Sequence, residues 1–362
     1  MNSAHSRWPL FAGDLGLARS VIRDLYKNHS ISAAQAAHWA LNLGDHKAVD
    51  RFLLSAQSNP CKNTKAEGIR FRLTREQGMT NPFQAFLRMD SSQQKQVISS
   101  ANDAWITLNG GIGDHLEDLA SLLPWLKQSG NPLRLRCTVT RQQQLKRLLP
   151  EALWCSKEVQ ESEQSITSKV VMAALGDELP RPSSFLDQIP TISSLSQSRL
   201  LCCWTAQSKG DHLSGWIRSV PFSVVQNLYL YLVSTGWPAT EIVDITNWKP
   251  WEVACLNSMG INQIKPDKGD VFDMAQLVNS CKQVVSIDTA LVHLCAALGH
   301  RVHLLLPLFH DERWHSHLKP GCSYSCACMV HHQHTFNDWD PVIERLSKSL
   351  ITGRIEHYQE SL

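Results

Sequence analysis

The chain has 362 residues, enough for two or three domains, and 43% of them are hydrophobic, so sizeable cores can be buried. A formal net charge of +2 gives no electrostatic case for binding nucleic acid or an anionic membrane surface. The 11 cysteines are scattered, and no apolar run has the length of a signal-peptide core at the N-terminus or of a transmembrane helix elsewhere. We therefore expect a cytoplasmic protein with reduced thiols and no transmembrane segment.

The first hundred residues predict a helical repeat. Gly13, Gly44 and Gly78 recur at offsets of 31 and 34 residues, close to the tetratricopeptide period of roughly 34. Each glycine is followed by apolar pairs at matching distances: Leu17-Ala18, Ala48-Val49 and Pro82-Phe83, then Val21-Ile22, Phe52-Leu53 and Phe86-Leu87. We assign residues 1–98 to a tetratricopeptide-like domain that would offer a scaffold or a groove to an acceptor or a protein partner. A generic helical bundle is the alternative. The polar stretch 90–102 predicts a junction.

A glycine-rich turn follows the junction. Residues 104–108 form a short apolar run typical of a strand, and a helical spacing of leucines begins at Leu116. Between them lie Gly110, Gly111 and Gly113, followed by Asp114. Glycines allow the backbone to turn sharply and to approach a ligand closely. The position of Asp114 at the start of this helix is typical of a helix cap. Leu116 occupies the third glycine position of a dinucleotide fingerprint, which disfavours an oxidoreductase.

We assign residues 99–198 to a second domain, and its elements after the first helix are predicted only approximately. We expect a strand over 133–140 and a short helix over 142–149, and residues 170–176 form an apolar patch. Residues 181–198 are rich in proline and serine and predict a linker. A third domain, 199–362, starts with a buried strand over 199–206. Lys209 and Arg218 follow that strand. Taken alone, each is typical of a solvated surface charge.

The most informative segment is 284–307. A β-branched run over 284–287 predicts a strand, an alanine- and leucine-rich run predicts a helix that ends at Gly299, and 302–306 predicts a second buried strand. Asp288 and Thr289 therefore lie between a strand end and a helix N-terminus, where backbone N–H groups and the helix dipole favour phosphate. Alternatively, Asp288 or Thr289 only caps the helix, and His293 only packs against the sheet.

The order Asp288-Thr289-Ala290, His293, Ala296-Ala297-Leu298-Gly299 and an apolar strand ending in Pro307 resembles the donor-binding segment of glycosyltransferase family 9. That family contains the lipopolysaccharide heptosyltransferases, and the resemblance extends to its members linked to tetratricopeptide repeats. It implies a GT-B fold, with two Rossmann-like domains (99–198 for the acceptor and 199–362 for the donor) behind the repeat domain.

The resemblance also implies residue roles. Asp288, Thr289, Ala290 (through its backbone) and His293 would contact the nucleotide diphosphate, and Lys209 or Arg218 would face its phosphates. The segment Gly111-Ile112-Gly113-Asp114 resembles the family's Gly-x-Gly-Asp, whose Asp is the proposed general base. The order Asp311-Glu312-Arg313-Trp314 resembles a family pattern, Asp-x-Arg-Trp, and these residues would line the cleft.

These roles imply an inverting transferase that moves a sugar from a nucleotide-diphosphate sugar to a hydroxyl of a glycan, lipid-linked or protein acceptor. It would need no cofactor besides this donor substrate. No metal site is predicted, because the order of Cys322, Cys326, Cys328, His331, His332 and His334 matches no standard zinc pattern. The alternative function is a non-catalytic interaction protein with a degenerate transferase domain. A dinucleotide oxidoreductase remains the least favoured option.

Overall fold

The computed structural model has a mixed α/β architecture with two parallel sheets. It describes residues 15–29, 31–42, 45–56, 91–101, 104–128, 130, 132–156, 165–175, 181–186, 189, 199–206, 212–264, 270–308, 310, 313–314, 318, 320–335 and 337–360. Within these ranges, no helix combines the length and the apolar character that crossing a membrane requires.

Helices occupy the described part of the first hundred residues: α1 (Leu15–Lys27), α2 (Ala33–Asn42) and α3 (His46–Ala56). The ring of Tyr26 in α1 meets that of Phe52 in α3 edge-on, with centroids 5.0 Å apart. The side chain of Asp45 accepts a hydrogen bond from the backbone N–H of Ala48 at the start of α3. The helical prediction is confirmed for these segments. The tetratricopeptide assignment stays a prediction, because the glycines and the third predicted repeat lie outside the described residues.

The polar stretch predicted as a junction contains helix α4 (Ser91–Ala101). Its serines and glutamines do not prevent helix formation, because Ile98 and Ala101 supply an apolar stripe that joins the core of the following sheet. α4 packs against α7 (Ser168–Leu175). Residues 170–175 of the predicted apolar patch lie within α7, directly after the short strand Ser165–Thr167.

The first sheet has four parallel strands in the order β3-β2-β1-β4. Its elements are β1 (Trp105–Thr107), α5 (Ile112–Gln128), β2 (Arg134–Cys137), α6 (Val139–Lys146), β3 (Leu153–Ser156) and β4 (Ser165–Thr167), with α7 after β4. The strand, helix, strand and helix that we predicted over 104–149 are present, and their bounds differ by a few residues. Helix α6 begins three residues earlier than predicted.

The second sheet has six parallel strands in the order β10-β9-β8-β5-β6-β7. Its strands are β5 (Leu200–Cys203), β6 (Ile242–Asp244), β7 (Asn262–Gln263), β8 (Gln283–Ile287), β9 (Val302–Leu306) and β10 (Cys328–His332). Its helices are α8 (His212–Arg218), α9 (Phe222–Ser234), α10 (Pro250–Ser258), α11 (Val271–Asn279), α12 (Ala290–Leu298), α13 (Ser323–Ala327) and α14 (Asp340–Glu360).

The order of this sheet defines where a ligand would bind. From β5 the chain runs through β6 and β7 to one edge, and then returns to β8 and continues through β9 to β10 at the other edge. The strand order therefore reverses between β5 and β8. In open parallel sheets, ligands occupy the crevice beyond the carboxyl ends of the strands at such a switch point. Asp288 follows β8 at this place.

The two sheets share one hydrophobic core. Leu116 and Leu119 of α5 belong to the same buried cluster as Leu291 and Leu294 of α12, and these two helices pack against each other. The predicted linker crosses both helices, since Ser183 donates its backbone N–H to the carbonyl of α5 residue Ala120 and Phe185 donates to that of α12 residue Ala297. This packing positions the glycine-rich turn beside the switch point. The domain bounds themselves stay a prediction.

Candidate functional site

Two helix N-termini meet at the candidate site. Helix α5 begins at Ile112 and α12 begins at Ala290. A Cβ atom on Gly113 would lie 2.7 Å from Cδ2 of His293 and 3.4 Å from Cα of Ala290, so this approach requires glycine at position 113. The N-terminus of each helix carries partial positive charge, and its first backbone N–H groups have no acceptor within the helix. Their convergence produces a place that favours an anion.

The glycine-rich turn holds Asp114 against its own backbone. Gly110 has a φ of 102°, which favours glycine, and a Cβ there would collide with the Asp114 carboxylate. Gly111 donates its backbone N–H to Oδ2 of Asp114 over 2.7 Å. The turn therefore requires glycine at position 110, and Asp114 acts as a cap for α5 through the backbone N–H of Gly111. About a third of the Asp114 side chain (34%) remains exposed, so a substrate hydroxyl could still reach it.

Arg313 joins the two sheet domains at this carboxylate. Its Nη1 lies 3.1 Å from Oδ1 of Asp114 and 2.7 Å from Oε2 of Glu117. Glu117 is a residue that the sequence analysis missed. Its position three residues after Asp114 puts both carboxylates on one face of α5, which was the available signal. Trp314 is buried beside Arg313. Asp311 lies outside the described residues.

Asp288 is buried at the switch point and has a cationic partner. Nη1 of Arg218 donates to the backbone carbonyl of Asp288 over 2.6 Å and lies 3.5 Å from its Oδ2. Arg218 is the last residue of α8, and 22% of its side chain is exposed. A guanidinium thus lies at the carboxyl edge of the sheet, where an anionic ligand could contact it. The other candidate cation, Lys209, lies outside the described residues.

Thr289 caps helix α12 as its position suggested. Its hydroxyl oxygen accepts a hydrogen bond from the backbone N–H of Leu291 over 3.3 Å and lies 3.0 Å from the hydroxyl of Ser286. The helix ends at Gly299, whose φ of 69° is left-handed. The cap and the helix end predicted from the sequence are confirmed. Contact of Thr289 and Ala290 with a ligand stays a prediction.

His293 lies in a buried aromatic cluster. Only 3% of the residue is exposed, and its Nδ1 lies 2.7 Å from the hydroxyl of Tyr324. Its ring stacks on Trp314, with centroids 5.6 Å apart, and Tyr324 meets it edge-on. Burial, followed by the charge of Glu117, raises the pKa of Tyr324 well above its ordinary value of 10. Tyr324 is a second residue that the sequence analysis missed, and no local pattern marks it.

The cysteine- and histidine-rich segment near the C-terminus forms pairs of histidines. Nδ1 of His303 lies 3.0 Å from Nε2 of His331, and Nε2 of His332 lies 3.1 Å from Nδ1 of His310. Burial lowers the pKa of His303 and of His331 to about 4. His331 and His332 are neighbours in β10 and point to opposite faces of the sheet. Among the residues that the structure describes, no group of three or more His, Cys, Asp or Glu could hold a metal ion.

Comparisons with known proteins returned similar solved structures. No protein-family model and no curated protein matches the chain. An ADP-heptose lipopolysaccharide heptosyltransferase II from E. coli is 12% identical with a TM-score of 0.48, over 70% of this chain and 99% of that one. The iron-containing dodecameric glycosyltransferase TibC from enterotoxigenic E. coli is 14% identical with a TM-score of 0.42, over 68% and 76%.

A longer alignment relates the chain to a mutant O-GlcNAc transferase of Thermobaculum terrenum. The two are 11% identical with a TM-score of 0.34, over 98% of this chain and 84% of that one. At these identities and TM-scores the similarities are weak, so the activity of this chain has to be argued from its own residues.

Proposed function

We propose that this protein is an inverting, metal-independent glycosyltransferase that moves a sugar from a nucleotide-diphosphate sugar to an acceptor hydroxyl. The observation that carries the proposal is the convergence of two helix N-termini at a topological switch point, with one aspartate from each side (Asp114 and Asp288) and two arginines, Arg218 and Arg313, from the side of the six-stranded sheet. The resemblance of segment 284–307 to the donor-binding segment of glycosyltransferase family 9 supports the same assignment. The two sheets and the crevice between β5 and β8 support a GT-B arrangement.

The donor diphosphate would bind at the N-terminus of α12. Backbone N–H groups there can donate to phosphate oxygens, and Arg218 is within reach of the same edge. As the sugar leaves, negative charge accumulates on the diphosphate. Two helix dipoles, Arg218 and Arg313 can stabilise this charge without a metal ion.

Asp114 would remove the proton from the acceptor hydroxyl. Inverting transfer needs a carboxylate on the acceptor side as the diphosphate leaves on the other side. Gly111 N–H and Arg313 orient this carboxylate at the N-terminus of α5, which favours its ionised form. The acceptor would be a glycan, a lipid-linked sugar or a protein, and the N-terminal helices would be available to a protein partner.

The test has two parts. The first is thermal stabilisation by a panel of ADP-, UDP-, GDP- and CDP-sugars, because a ligand that binds only the folded state raises Tm. The second is turnover of the nucleotide sugar that gives a Tm shift. We expect Asp114→Asn to retain the Tm shift while turnover falls by about 10³-fold, the scale of a general base. Absence of a Tm shift with every nucleotide in the panel would overturn the proposal.

A non-catalytic interaction protein is the second candidate, and the burial of His293 and Asp288 favours it. A site that no longer turns over can keep these residues as packing elements of the shared core. The same two measurements separate the candidates. A degenerate transferase would show no turnover with any donor, and Asp114→Asn would change neither Tm shift nor activity.

A further inference from the structure

His293 and Tyr324 form a buried hydrogen-bonded pair, and the direction of their hydrogen bond is linked to the tautomer of His293. Tyr324 is fully buried, and its hydroxyl lies 2.7 Å from Nδ1 of His293. A neutral imidazole has one N–H donor and one acceptor nitrogen, and the partner of one nitrogen decides which tautomer is present. The direction of this hydrogen bond therefore determines whether the opposite nitrogen, Nε2, donates or accepts.

The remaining edge of the His293 ring faces the glycine-rich turn. Trp314 stacks on the ring and Tyr324 lies at Nδ1. A Cβ atom on Gly113 would be 2.7 Å from Cδ2 and 3.4 Å from Nε2, so this edge is directed to the place where α5 and α12 begin. An anion at these helix N-termini would require a donor on Nε2, not a lone pair.

Tyr324 can supply the complementary hydrogen bond. Burial and the neighbouring charge of Glu117 raise its pKa well above 10, so its hydroxyl keeps its hydrogen at all physiological pH values. A tyrosine hydroxyl that donates to Nδ1 leaves the ring hydrogen on Nε2. One buried hydroxyl would thus convert His293 into a neutral donor toward the helix N-termini.

We propose that Tyr324 is a positioning residue that donates its hydroxyl hydrogen to Nδ1 of His293 and holds His293 as the Nε2–H tautomer facing the donor diphosphate. Both the tautomer and its role toward the diphosphate rest on the proposed function, because the bound anion is what requires a donor on Nε2. Tyr324 contacts neither substrate in this scheme and acts through His293.

The first experiment measures the tautomer directly. Imidazole ¹⁵N NMR of histidine-labelled protein, with His293 assigned by the signals lost in His293→Gln, should show an unprotonated Nδ1 and a protonated Nε2. Tyr324→Phe keeps the ring and its packing and removes only the hydroxyl, so the Nδ1 signal should shift. The matched control is Tyr231→Phe on the exposed side of α9, which should leave His293 unchanged. A protonated Nδ1 in the wild-type protein would overturn the inference.

The second experiment is a double-mutant cycle on the affinity for the nucleoside diphosphate selected by the Tm panel. Tyr324→Phe should weaken binding about 10-fold, the scale of one hydrogen bond to a charged group. In a His293→Ala background the same change should alter affinity less than about 2-fold, because the effect passes through the histidine. An equal loss in both backgrounds would mean that Tyr324 only supports the fold, and the inference would be rejected. If no nucleotide binds the wild type, the proposed function fails, while the Nδ1 signal still decides the tautomer.

Discussion

Two buried aspartates at the carboxyl edge of the same sheet have opposite environments. Asp288, after β8, lies against the guanidinium of Arg218 and is 5% exposed. Asp244, at the end of β6, is fully buried and accepts hydrogen bonds from neutral donors. These donors are the Tyr229 hydroxyl at 2.7 Å, the Trp248 indole N–H at 3.0 Å and the Thr246 backbone N–H at 2.7 Å.

The difference distinguishes a structural aspartate from a candidate ligand-binding one. The Asp244 network continues to Trp204, whose indole N–H donates to the Tyr229 hydroxyl, so it ties β5, β6 and α9 together. Burial, which outweighs these hydrogen bonds, raises the pKa of Asp244 above its ordinary value. Asp288 instead has a partly exposed cation and a position beside two helix N-termini. A charged partner at a switch point thus makes Asp288 a candidate ligand-binding residue, whereas the neutral donors around Asp244 indicate a structural network.

The largest effect on stability is expected from Asp244→Ala. Three donors would lose their buried acceptor, so we expect the free energy of unfolding to fall by about 4 kcal/mol. Urea denaturation measures this loss. Asp244→Asn, which keeps one acceptor oxygen, is the control and should cost about half as much. If Asp244→Ala cost less than about 1 kcal/mol, the network would not have the structural role assigned to it.

Asp288→Ala should lower the free energy of unfolding by less than Asp244→Ala does, but it should weaken ligand binding more. Arg218 would lose the carboxylate but is partly exposed, so water compensates and the loss should be about 2 kcal/mol. The Tm shift with a nucleotide sugar should disappear, whereas Asp244→Asn should keep it. The comparison breaks if the two variants lose the Tm shift equally.

The pH dependence of stability should have opposite signs for Asp244 and for the histidine pair His303 and His331. Between the ordinary value of 3.8 and its raised pKa, Asp244 binds more protons in the folded state than in the unfolded state, so its contribution to stability falls as pH rises. We therefore expect the stability of the wild type relative to Asp244→Asn to increase as the pH is lowered through the raised pKa of Asp244 toward 3.8. Denaturant titrations of both proteins at several pH values measure this difference, and the opposite slope would contradict the assignment.

His303 and His331 should produce the reverse slope. Their folded-state pKa values of about 4 lie below the ordinary 6.5, so the unfolded state takes up protons first and stability falls as pH drops from 6.5 to 4. Each fully shifted histidine contributes up to about 1.4 kcal/mol per pH unit in this window. His303→Gln should flatten the profile. His334→Gln, at an exposed position, is the matched control, and an equal effect of both would refute the prediction.

The smallest effect should come from an exposed ion pair between the domains. Arg147 pairs with Asp270 and Asp273 and lies 4.3 Å above the ring of Phe272, but half of its side chain is exposed. Arg147→Ala should change the free energy of unfolding by less than about 1 kcal/mol, and the change should shrink in high salt. A loss as large as that of Asp288→Ala would remove the distinction between exposed and buried pairs.

Local chemistry determined those features that the sequence predicted well. The strand before Asp288, the Thr289 cap and the left-handed Gly299 depend on neighbours within a few residues, so periodicity and turn chemistry were sufficient to predict them. The glycine-rich turn and its Asp114 cap are local in the same way. Helix α4 was not predicted, because its composition is mostly polar and its short apolar stripe stabilises the helix only by packing against α7 and the sheet.

The amino-acid sequence by itself determined the alternation of strands and helices over 104–149 and 284–306, the glycine-rich turn, the turn at Asp288 and Thr289, and the identity of the acidic and cationic candidates. Only the tertiary structure decided which of them meet. Arg313 reaches Asp114 and Glu117 across 199 and 196 residues of chain, and Tyr324 reaches His293 from a separate helix. Such pairs depend on the packing of α5 against α12, which a hydrophobic cluster shared by both sheets stabilises and no local pattern encodes.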